Sequence, residues 1–254
     1  MTFYAPFCLP FILGASAMFA IVGVKWLLWL YRLPRADKLR ILRGIPTGTT
    51  FRAVGETIGE SLLHRRIFRV DPLLGYMHMS LAFGWFLLIA VGWIETMAHL
   101  GFRPVPLQGH VFFKYFATGL PHKPAFDFLM DLLLLFVLSG VALAWSKRIR
   151  SKAMGMRRTT KHVMGDRIAL SALWFIFPAR LVAESATCAL YGGGGFLTGT
   201  IGEWMRRTFG MMALMNAESA AWWFYSSCLG IFFVAMPFSR YMHIFTEIPL
   251  IFLR

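Results

Sequence analysis

Two histidines, His78 and His243, lie inside or beside apolar stretches near opposite ends of the chain. An imidazole in hydrocarbon needs a partner, because burying an unpaired polar group costs about 2–7 kcal/mol. Two imidazoles at one depth on two helices can fill both axial positions of a haem iron. Helical bundles commonly build cofactor sites from facing side chains. Axial ligands also set the potential of the iron. The rival reading, a pair of hydrogen-bonded histidines at a membrane surface, needs no cofactor.

A second polar set is spread over two apolar stretches. Glu95 and His99 follow His78 on the same stretch, and Arg180 and Glu184 sit together on a later one. Glu and His can accept a proton from a quinol. Arg180 can bind a carboxylate, such as a haem propionate, in a two-pronged way. Arg180 and Glu184 are also spaced as an intrahelical ion pair and can simply neutralise each other. Any second haem beyond the first must take its ligands from His99, His110 and His122, which otherwise read as exposed histidines. His162, in a basic loop, is a weaker rival ligand. His64 is expected on a surface helix, facing water.

The elements that hold these residues are apolar and long. Hydrophobic residues make up 57% of the 254-residue chain and charged residues 15%. Mean hydropathy is +0.60. Soluble domains usually carry about 25% charged residues. Roughly 20 helical residues cross the hydrocarbon layer. Five stretches meet that length: residues 4–31, 72–97, 124–146, 168–191 and 219–243. We expect an all-α, five-helix integral membrane bundle forming a single domain, with no internal repeat and no soluble domain. The first stretch lacks the basic start of a signal peptide, since no Lys or Arg precedes Lys25, so it reads as an uncleaved helix. Residues 50–66 read as an amphipathic helix capped by Thr50, with Phe51, Val54, Ile58 and Leu62 on one stripe. It serves either as a membrane-surface anchor or as a docking surface. A shorter amphipathic helix is expected near residues 201–214. Asp127 and Asp131, one turn apart, should share a face of the third helix. Trp222 and Trp223 read as residues of an interfacial aromatic belt. The apolar tail beyond His243 is too short to cross again.

The net charge of +14 does not point to nucleic acid, because the basic residues are segregated. Nine Lys and Arg fall between Arg32 and Arg69, and eight between Lys147 and Arg167. The two alternate loops hold five: Arg103, Lys114, Lys123, Arg206 and Arg207. Basic loops stay on the cytoplasmic side. The amino terminus is therefore expected outside and the carboxyl terminus inside. Cys8, Cys188 and Cys228 are far apart, with no CxxC or CxxCH pattern. This argues against a zinc site, a cluster bound by this chain, and covalent haem.

Several stretches resemble a known family. HRRIFRVDPLLGYMHMSLAFGWFLL is similar to the start of the second helix of the nitrate reductase gamma-subunit family of b-type cytochromes. FDFLMDLLLLFVLSGVALAWSKRI resembles its third helix, and DRIALSALWFIFPARLVAES its fourth. PFSRYMHIFTEIP resembles its ending, where a Pro and a basic residue precede a haem-ligating His. Within the family, the likeness is nearest to cytochrome b subunits of heterodisulfide-reductase-related complexes, including transmembrane redox complexes of sulfate reducers. The resemblance spans about residues 10–250 and is carried by order and topology, since each motif is loose. It implies haem b, with ligation carried onto His78 and His243 only. It implies quinone (menaquinone) or a periplasmic multihaem cytochrome c on the outer side. It also implies a cytoplasmic iron–sulfur subunit like heterodisulfide reductase D. The chain departs from the nitrate reductase pattern where a further histidine is usual on helix two and on helix five. Leu88 and Tyr225 stand there, which puts a second haem with the standard ligands in doubt. The expected function is electron relay by a b-type cytochrome subunit in a bacterial or archaeal inner membrane. A haem-free membrane anchor is one rival. A small transporter is another, but it predicts broken helices or inverted repeats, and neither is legible here.

Overall fold

The computed structural model describes residues 3–44, 48–155 and 163–246. His162 and the last residues of the tail fall outside that range, as does the side chain of Thr50. Among the described residues the chain is all helix and turn. The elements are α1 (Leu9–Arg32), α2 (Arg35–Gly44), α3 (Gly48–Glu56), α4 (Arg65–Val70), α5 (Pro72–Leu100), α6 (Leu107–Val111), α7 (Phe113–Phe116), α8 (Pro124–Ala153), α9 (Met164–Tyr191), α10 (Thr198–Thr208) and α11 (Met211–Ala235). Helices α1, α5, α8, α9 and α11 are long and apolar enough to cross a membrane. The protein is a multi-pass membrane bundle of five helices.

Local sequence sets the helix limits. Pro72 opens α5, where a missing N–H costs nothing. Asp71 caps it by accepting the Leu74 N–H at 3.0 Å. The glycine run ends α9, and Gly192, Gly193 and Gly194 all take positive φ, a conformation that side chains disfavour. Charge does not stop α8 at its expected limit near residue 146. It runs on to Ala153, and Arg148 lies over the Trp174 ring at 4.7 Å.

The closest packing joins α9 to α11, α5 to α8, α1 to α11, and α10 to α9. Lipid is as apolar as a side chain, so bundles in lipid gain from small residues that let backbones meet. Gly14 and Gly230 do this between α1 and α11. A Cβ built on Gly14 would stand 2.5 Å from Gly230 Cα, and one on Gly230 would collide with the Pro10 carbonyl. Ser226 Oγ accepts the Phe11 N–H at 3.2 Å in the same crossing. By contrast, α5 meets α9 and α11 through large rings. Trp85 lies 5.4 Å from Phe177 and 5.2 Å from Phe232.

The bundle has two unlike ends. The basic end holds the carboxyl end of α1, α2 to α4, the start of α5, the start of α9 and the chain after α11. The carboxylate end holds Glu95, Asp127, Asp131, Glu184 and Glu218, under the chain between α5 and α8 and between α9 and α11.

Four expectations need correcting. The helix expected over 50–66 is broken. It passes from α3 into a π-helical turn (Thr57–Leu62) and stops at His64, whose φ of 51° starts a new direction into α4. The second amphipathic helix is Thr198–Thr208, and the fifth span begins at Met211, because the chain turns extended at Phe209 and Gly210. The segment between α5 and α8 folds into the bundle, and Phe112 is fully buried against Phe7, Phe11 and Tyr225. Trp222 belongs to that buried cluster and to no aromatic belt. Its indole N–H donates to Thr187 Oγ1 at 2.9 Å.

Replacing Gly230 with Leu should drive α1 from α11 and destabilise the protein by about 1–3 kcal/mol, the usual cost of overpacking. The thermal transition in detergent should fall accordingly. An unchanged transition would contradict this packing.

Candidate functional site

At the basic end the chain brings three imidazoles together. His78 lies on the first third of α5, exposed at the bundle surface. His243 follows the final turn, Arg240–Met242, and is also exposed. His78 lies within electrostatic reach of His243, His64 and Lys147. The His64 ring stacks on His78 with centroids 5.6 Å apart and planes inclined by 23°. His64 was expected to face water. The left-handed turn and the packing of α4 along α5 carry it to His78 instead.

The position of His243 is held from several sides. Asp166, nearly fully buried at the start of α9, accepts the Arg240 N–H at 2.7 Å and pairs with Arg240 Nε at 3.2 Å. Gly165 packs on the Phe238 carbonyl. Lys25 reaches from α1 to donate to the Pro237 carbonyl. His243 Nδ1 bonds the Arg240 carbonyl. Bonding one ring nitrogen to a backbone carbonyl fixes the tautomer and presents Nε2, as metal-binding histidines usually require. His78 and His243, from distant segments, thus lie within electrostatic reach of one another, and His243 has its tautomer set.

At the carboxylate end the expected polar set is assembled, with additions. Arg180 Nε donates to Glu184 at 2.8 Å, as the spacing predicts. Lys114, on α7, pairs with Asp127 at 2.6 Å. Burial alone would lower the Lys114 ammonium, but Cys188, Asp127 and Glu184 outweigh it and hold it above its ordinary value. Asp131 accepts the Leu197 N–H at 2.7 Å, and the Thr198 N–H and hydroxyl at 2.9 Å each. It thereby caps α10, where a helix start favours negative charge. Glu218 accepts the Thr187 hydroxyl at 2.7 Å.

Two small cavities adjoin this set. One is lined by Glu95, His110, Lys114, Arg180 and Glu184; the other by Glu95, His99, Lys114, His122 and Asp127. Each is about 20 Å³. That is room for one or two waters, since about 10–15 Å³ holds one. His99 Nδ1 bonds the Glu95 carbonyl at 2.8 Å. Burial lowers the His110 imidazole below its usual range, and its buried Nδ1 has no partner among the described residues. His122 is exposed, against Gly193. His110 lines the first cavity, and His99 and His122 line the second. Leu88 and Tyr225 are core residues, both buried.

Sequence reasoning missed Lys114, Asp166 and His64. Asp166 carried a signal: an acidic residue three positions into a helix is a capping position. Lys114 and His64 carried none, because each is placed by a loop. Asp166→Ala should free the turn that carries His243. Limited proteolysis between residues 239 and 246 should then be faster, and an unchanged cleavage rate would show that other contacts hold the turn.

No family model, no curated protein and no solved structure matches the chain.

Proposed function

We propose that this protein is the b-type cytochrome subunit of a respiratory redox complex. It relays electrons between the quinone pool, or a periplasmic cytochrome c, and a cytoplasmic iron–sulfur subunit. The observation that carries the reading is that His78 lies within electrostatic reach of His243 at one end of the bundle, with His243 Nδ1 tied to a carbonyl. Haem b, when bound there, supplies a one-electron carrier. His78 on α5 and His243 beyond the final turn would hold it, and Asp166 with Arg240 would fix the position of His243. The haem-binding end is also the basic end. By the distribution of Lys and Arg it faces the cytoplasm, with the amino terminus outside. The exposed bases Arg35, Arg52, Arg65, Arg66 and Arg69 flank the site, where a partner bearing the clusters would dock. This chain has no cysteine pattern to bind clusters itself.

The assignment predicts that His78→Ala and His243→Ala each remove all haem from the purified protein, read from the dithionite-reduced alpha band. Partial loss would establish a second haem. Full retention in both would refute the ligand assignment, and no alpha band in the unaltered protein would favour a haem-free anchor.

The orientation has its own check. Ser151→Cys should resist a membrane-impermeant maleimide in intact cells, and Thr200→Cys should react. The reverse pattern would invert the topology. The native cysteines are buried and should give little background.

A further inference from the structure

The charges at the carboxylate end leave one carboxyl over. Lys114 neutralises Asp127, Arg180 neutralises Glu184, and the start of α10 satisfies Asp131. Glu95 faces all of them from α5, yet its side chain makes no hydrogen bond or ion pair among the described residues. It is 8% exposed. An isolated carboxylate is costly to bury, and such a group holds a proton unless something else neutralises it. Glu95 also lines both water-sized cavities, which share Phe113, Lys114 and Asp127 as well.

The second observation is His110. Its buried Nδ1 has no partner among the described residues, and it lines the first cavity. A buried polar atom without a partner calls for a water or a ligand. Buried waters make two to four hydrogen bonds, and Glu95 with His110 offers part of that set.

We propose that Glu95 is a proton-exchange site, connected to the aqueous surface by water in the two cavities. The Glu95 carboxyl gives its proton to a water of the first cavity, which becomes hydronium. Lys114 and Arg180, both within electrostatic reach, stabilise the carboxylate left behind. The excess proton passes by way of water past Lys114 and Asp127 to the second cavity. It leaves beside His99 and the exposed His122. Reversal reloads the carboxyl. The cavities are too small for a quinone ring, so the site handles protons and not the ring itself. This inference rests on the carboxylate end alone and does not depend on haem at His78 and His243.

Two measurements on the full chain in detergent test it. A hydrophobic carbodiimide, which reacts with protonated carboxyls, should label Glu95 severalfold more than Asp127 or Glu184, mapped by mass spectrometry. Labelling should fall as pH rises and vanish in Glu95→Gln. Equal labelling of the three residues, or none at Glu95, would overturn the proposal. Infrared spectra of the unaltered protein should show a protonated carboxyl band that shifts promptly in heavy water. A band that does not shift means a sealed carboxyl and overturns the pathway. Neither measurement involves haem, so failure here leaves the cytochrome assignment standing, and loss of that assignment leaves this one.

Discussion

Asp131 and Asp166 do the same work at opposite ends of the bundle. Each is a buried carboxylate that accepts at least one backbone N–H from a segment more than sixty residues away. Hydrogen bonds from N–H groups stabilise the charged form of a carboxylate, and Asp166 has the Arg240 guanidinium beside it as well. The donors must come from backbone that is not already bonded within a helix, so they come from helix starts and turns. Asp131 thereby draws the glycine run and α10 onto the carboxylate end. Asp166 draws the final turn, and His243 with it, onto the basic end. The cost of leaving a charge unpaired in a low-dielectric interior is what folds the connecting segments inward. The helices themselves need only length and apolarity.

Between the two ends the interior is closed. Trp85, Phe177 and Phe232 meet edge to face or tilted, with Leu88 buried beside them. Nearer the carboxylate end Phe7, Phe11, Phe112 and Trp222 form a second layer of rings. Protein interiors pack at the density of organic crystals, and rings this close leave no continuous water. A site exchanging protons at one end of a membrane bundle is useful only if protons do not leak to the other. The aromatic middle meets that requirement, and it separates the cavities at the carboxylate end from the histidines at the basic end.

The five spans were legible because length and hydropathy are local properties. So was the Arg180–Glu184 pair, because its spacing fixes it on one helix. Trp222 was not legible. Lipid and protein interior are both apolar, so hydropathy cannot tell a ring that faces lipid from one that faces the core. The position of His64 depends on a single left-handed residue after a π-helical turn, which no periodicity signals. The inward folding of residues 101–123 depends on pairing between Lys114 and Asp127, which are distant from any shared helix. Helix limits failed where charged residues followed an apolar run, as in α8, because charge ends a span without ending a helix.

Helix α5 carries both His78 and Glu95, and this constrains how the two ends can communicate. At a rise of 1.5 Å per residue, about 26 Å of helix separates them. That is most of the hydrocarbon thickness. The helix is also the one held to α9 and α11 by rings in place of glycines. Interlocked glycines, as between α1 and α11, fix a crossing at backbone contact. Ring contacts are longer, so α5 meets α9 and α11 less closely than α1 meets α11, while Asp131 ties α8 to the start of α10. Trp85, seated between Phe177 and Phe232, lies on α5 between His78 and Glu95 and is where that helix meets α9 and α11.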